Sequence, residues 1–93
     1  MRLMPLAISV LLAASTLGAT LTVARAQNCL DLWVERNTYY KQVGYCFKTR
    51  RAIDYFGNGG CAYDNERDVP LSSAVRARIN QIAAQERAYR CPG

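Results

Sequence analysis

Four cysteines, Cys29, Cys46, Cys61 and Cys91, all lie beyond residue 26 of a 93-residue chain, and that placement limits the fold more than any other feature. The segment before them starts with Arg2, runs through Leu6, Ala7, Ile8, Val10, Leu11, Leu12, Ala13 and Ala14, and closes on Ala24-Arg25-Ala26. A basic start, an apolar run and a small-x-small end form an export signal, with cleavage expected after Ala26. The uncharged stretch from Leu3 to Ala24 is long enough to span a bilayer. Thr16, Gly18, Thr20 and Thr22 dilute its second half, however, and the dense apolar part has the length of a signal's hydrophobic region. Residues 1–26 are therefore read as a signal peptide and 27–93 as one domain.

The 67 residues left stand near the lower size at which a hydrophobic core suffices. Four cysteines in a short exported chain supply the missing stability as two disulfides, each contributing about 2 to 4 kcal/mol. The expected compartment is oxidising: the periplasm or the exterior. Removing Arg2 and Arg25 lowers the net charge from +5 to +3. So mild a basicity lacks the dense patch that nucleic-acid binding needs.

The chain contains no histidine, which excludes Ser-His, Cys-His and His-metal arrangements within one subunit. Cysteine gaps of 17, 15 and 30 residues contain no Cys-x-x-Cys pair and favour disulfides over zinc. Asp64, Glu66 and Asp68 alternate, but the glycine and final glutamate of a calcium loop are missing. No metal and no cofactor is expected.

Helical periodicity organises the domain. Asn28, with Asp31 three residues on, suits the cap of a helix over Cys29–Val43, where Cys29, Leu32, Trp33, Arg36, Tyr40 and Val43 share a face. Gly44 fits the left-handed position after it. Tyr45-Cys46-Phe47 is extended or a buried link. Arg50–Phe56 reads as a short helix with Ile53, Tyr55 and Phe56 turned inward, stopped by Gly57-Asn58-Gly59-Gly60. A polar connection from Cys61 to Pro70 leads to a last helix capped by Ser72 or Ser73 and running to about Arg90, with Val75, Ile79, Ile82, Ala83 and Tyr89 on one side. The predicted fold is mainly α: a small disulfide-stabilised helical domain with two longer helices, a short middle helix and a Gly-rich loop. Four cysteines allow three connectivities. Antiparallel long helices favour Cys29 with Cys91 and Cys46 with Cys61.

Arg36 is out of place on an apolar stripe beside Trp33, Tyr40 and Val43. A buried guanidinium needs a carboxylate, carbonyls or an aromatic ring. Asp54 and Asp68 are the candidate partners for a scaffold ion pair. The functional reading joins Arg36, Asn37, Trp33, Tyr40 and Tyr45 in a polar cluster for an anionic or sugar ligand. Tyr39, Tyr45, Tyr55 and Tyr63 either present a ligand surface or fill a core poor in large aliphatics.

The pattern Leu32-Trp33-x-x-Arg36-Asn37-x-x-Tyr40-x-x-x-Gly44-Tyr45-x-Phe47 resembles the YARHG domain, a small extracytoplasmic bacterial domain, over about Cys29 to Phe56. In the naming stretch, Tyr40-Lys41-Gln42-Val43-Gly44, only the tyrosine and glycine match. No role of the family's central arginine and histidine transfers to this chain. The resemblance implies an exported, mainly helical module associated with the cell envelope, with the cysteines marking a disulfide-containing variant.

These features point to an exported, non-catalytic module that binds a cell-envelope component or envelope protein, with no nucleic acid as partner and no membrane-spanning segment once the signal is cleaved. A periplasmic inhibitor or accessory protein of a secreted enzyme is the alternative, and a small carboxylate-based hydrolase a more distant one. Intact-mass measurement of the exported protein is expected to show a chain beginning at Gln27; a mass including Met1 to Ala26 would contradict the signal assignment.

Overall fold

The computed structural model describes residues 24–26 and 28–92; apart from 24–26, the predicted signal peptide lies outside them. Three helices make up most of the described chain. We label α1 the helical residues 28–42, α2 Arg50–Phe56 and α3 Ser73–Ala88, with a 3-10 turn at Glu66–Asp68 between the last two. Among the described residues the only β pairing is an isolated parallel bridge between Tyr45 and Tyr63.

The start of α1 differs from the sequence reading. Residues 24–26 and 28–30 are helical, so Asn28 itself has helical backbone, not the extended backbone of a cap residue. Alanine is the strongest helix former, and Ala24 and Ala26 favour helix on the upstream side.

The end of α1 is a Schellman turn. Tyr45 N–H donates to Tyr40 O at 3.1 Å and Gly44 N–H to Lys41 O at 3.2 Å, the paired bonds that satisfy terminal carbonyls. Gly44 has φ of 86°, a left-handed conformation that only glycine adopts without steric penalty. Tyr40 and Tyr45 rings meet across the turn at 5.5 Å.

The first core forms where α1 meets α2. Trp33, Phe47 and Ala52 are buried, and Tyr40, Tyr45, Ile53 and Phe56 pack around them. Trp33 meets Phe56 at 5.7 Å, and Phe47 stacks on Phe56 at 5.1 Å. Phe47 belongs to no helix, so its backbone needs other partners. Asn58 supplies them: its Oδ1 accepts from Phe47 N–H at 2.7 Å and its Nδ2 donates to Phe47 O at 3.0 Å. Thr49 caps α2 by accepting from Ala52 N–H. Tyr55, read as inward, is 59% exposed. Ala52 takes the buried place on this short helix because close approach to Trp33 and Phe47 leaves room for a methyl group.

The second core lies under α3, where Ile79 and Ile82 are buried together with Val69 from the connecting segment. Ser72 caps this helix, accepting from Val75 N–H at 3.2 Å. The helix ends at Ala88, earlier than the periodicity indicates, and Tyr89 is 42% exposed, not inward. A second Schellman turn stops it, with Cys91 N–H on Glu86 O at 2.8 Å and Arg90 N–H on Arg87 O at 3.1 Å.

Helices α1 and α3 run antiparallel: partners fall from 91 to 86 and 78 as positions rise from 29 to 36 and 35. Cys29 bonds Cys91 at one end, and Cys46 bonds Cys61 across the middle segment, at sequence separations of 62 and 15. Loop-closure entropy makes the longer link worth about 4 kcal/mol and the shorter about 3. Urea unfolding is expected to show Cys29→Ala/Cys91→Ala as the more destabilised double variant; the reverse order would contradict this assignment.

Candidate functional site

Arg36 and Glu86 form the floor of the candidate site. From the middle of α1, the Arg36 guanidinium donates Nε to Glu86 Oε1 at 2.6 Å and Nη2 to Oε2 at 3.1 Å. The fork-to-fork geometry is the strongest arrangement an arginine and a carboxylate can adopt. Side-chain exposures of 24% and 10% place the pair in a largely water-poor setting. The hydrogen bonds to Glu86 raise the Arg36 pKa above its ordinary value, against the opposing effect of burial. The guanidinium stays charged at any working pH.

The partner is neither Asp54 nor Asp68. Asp54 is exposed on α2, and Asp68 accepts from Asn65 Nδ2 within the 3-10 turn at 3.4 Å. Arg36 faces α3 instead. Glu86 sits three and four residues after Ala83 and Ile82, on the inward stripe of α3, and this signal was available in the sequence: an acid on one apolar stripe mirrors an arginine on the other.

The structure divides the remaining members of the predicted cluster. Asn37 is buried, and its Nδ2 donates to Trp33 O one turn back at 2.9 Å. Trp33 belongs to the core, with Arg51 placed 3.9 Å over its ring and Tyr55 edge-on at 5.5 Å. Tyr45 bridges to Tyr63 and meets Phe47 edge-on at 5.3 Å. Arg36 and Tyr40 alone among the five line an open groove of about 420 Å³, which Glu66, Glu86, Arg87, Arg90 and Pro92 also border. The volume falls in the range of small-molecule sites. Burial raises the pKa of the Tyr40 and Tyr45 phenols, and the Glu66 charge adds to it. Both are neutral near pH 7 and cannot serve as phenolate bases.

Two other cavities, of about 370 and 320 Å³, are lined in part by residues 24–26. The expected cleavage removes those walls. Among the described residues, the groove before Arg36 is lined by none earlier than Arg36.

The family model of the YARHG domain matches residues 8–87. The chain belongs to the YARHG domain family. The match takes in α1, α2 and nearly all of α3, wider than the Cys29 to Phe56 motif. No curated protein and no solved structure matches the chain. Among the described residues no helix is long and apolar enough to cross a membrane.

A second ion pair ties α3 to α1. Arg78 Nε and Nη2 donate to the Glu35 carboxylate at 2.7 and 2.8 Å, and Tyr39 Oη adds a bond at 3.1 Å. The bonds from Arg78 lower the Glu35 pKa below its ordinary 4.5, outweighing the upward effect of burial. A depressed carboxylate contributes stability above its unfolded pKa and loses it as pH falls through the folded value. Thermal melts from about pH 6 to pH 3 are expected to show a shallower acid loss for Glu35→Gln than for the native protein; identical slopes would contradict the coupling.

The Arg36–Glu86 pair generates a stronger expectation. Arg36→Ala strands the Glu86 carboxylate and is expected to destabilise by about 3 kcal/mol, whereas Arg36→Met/Glu86→Leu restores most of the loss. Chemical denaturation of the two variants reads the difference; equal losses would contradict it.

Proposed function

We propose that the mature chain is an exported, non-catalytic module that binds a cell-envelope component or envelope protein through the groove before Arg36. The groove carries the reading: an arginine held immobile by Glu86, a neutral tyrosine wall and exposed arginines at the rim recognise a ligand without a reactive group. Membership of a small-domain family whose members are usually exported supports the location. Two disulfides among four cysteines suit an oxidising compartment.

Binding by a rigid scaffold requires side chains locked by packing and hydrogen bonds. Here Arg36 is fixed by two bonds to Glu86, and Cys91 at the groove's edge is tethered to Cys29. The floor is ready before any ligand arrives.

A second reading, an inhibitor or accessory protein of a secreted enzyme, draws on another face. Tyr55 stands 59% exposed beside Arg51, and tyrosine and arginine are the residue types enriched at protein-binding hot spots. Pull-down with separately prepared sacculi and membranes is expected to retain the exported protein; co-purification of one stoichiometric enzyme, with no retention on either fraction, would favour the second reading.

A further inference from the structure

Three ionised side chains border the groove without a counterion among the described residues: Glu66 on the 3-10 turn, and Arg87 and Arg90 at the end of α3. Arg36 and Glu86, which also line it, neutralise each other. Glu66 lies close enough to Arg36, Tyr40 and Tyr45 for its charge to act on all three. The groove is thus bordered by one carboxylate, whose charge reaches Tyr40, and by two guanidinium cations.

Arg90 holds its place against local preference. It occupies the position in the second Schellman turn that Gly44 occupies in the first, with φ of 55°. A left-handed backbone is unfavourable for a residue with a Cβ, and glycine is the usual choice there. Strain of this kind at a groove points toward function, since glycine would close the helix more easily but supply no guanidinium.

We propose that the groove binds a zwitterionic ligand, a short peptide or amino-acid-bearing group whose carboxylate lies between Arg87 and Arg90 and whose ammonium faces Glu66. The inference rests on the binding role proposed above and names its ligand class. Two arginine forks match a carboxylate, while a doubly charged phosphate would meet repulsion from Glu66. A ligand bearing only positive charge would meet Arg87 and Arg90.

The test is an NMR titration of the exported, disulfide-intact protein with alanyl-alanine, its N-acetyl derivative, its C-terminal amide and inorganic phosphate. Alanyl-alanine is expected to shift the amides of residues 86–92 and those around Glu66, with both blocked forms binding at least about tenfold more weakly. Arg90→Gly is expected to raise the melting temperature while weakening the dipeptide about tenfold; Arg87→Gln weakens it without the thermal gain. Equal binding of the blocked forms, phosphate binding as tight as the dipeptide, or undiminished binding by Arg90→Gly would overturn the proposal. Dipeptide binding without retention on envelope fractions would overturn the envelope reading and keep the zwitterion site. Retention without dipeptide binding would do the reverse.

Discussion

The bidentate contact between Arg36 and Glu86 is the interaction around which this small domain is arranged. Buried hydrophobic residues are few: Trp33, Phe47 and Ala52 under α2, and Val69, Ile79 and Ile82 under α3. Arg36–Glu86 ties α1 to α3, with Glu35–Arg78 as a more exposed companion. A charge pair has one sound geometry where an apolar contact tolerates many, so it sets the rotation and register of α3 on α1. The Cys29–Cys91 link closes the same antiparallel pair at its end. Covalent and ionic constraints thus act on one interface, where a chain this short cannot bury enough apolar surface to define it.

The same interface makes the groove. Glu86 lies on the inward stripe of α3, Arg87 follows it in the last turn, and beyond Ala88 the chain leaves the helix, so that Arg90, Cys91 and Pro92 border the groove with Arg36. Two Schellman turns show how differently the chain treats its helix ends. After α1 a glycine takes the left-handed position, and after α3 an arginine does. The first turn serves the fold alone, while the second sets a charged side chain at the rim of a cavity.

Much of the architecture was legible in the amino-acid pattern. The limits of α2, the glycine after α1, the Gly-rich loop and the Ser72 cap follow from local chemistry, which does not depend on distant neighbours. Errors fell where distant contacts override local preference. Tyr55 and Tyr89 match an apolar periodicity but lie outside: Ala52 takes the buried position on α2, and Tyr89 is the residue at which α3 ends. Asn28 resembles a cap but itself has helical backbone. Val69, within a stretch that reads as polar connection, is buried, and its carbonyl accepts from Arg76 of α3. The candidate site is half visible in the sequence: Arg36 stands out on an apolar stripe, whereas its partner is Glu86 of α3 and neither Asp54 nor Asp68.

The sequence by itself determined the helical class, the staples as disulfides, and the exclusion of histidine chemistry, because these depend on residue type, spacing and count. Family membership follows from the same linear pattern. Only the tertiary structure decided that Arg36 pairs with Glu86, that Asn37 turns back onto its own helix, and that Glu66, Arg87 and Arg90 border one groove. Those facts depend on the rotation of α3 about its axis, and helical periodicity identifies a buried face without stating which residue on the facing helix it will meet.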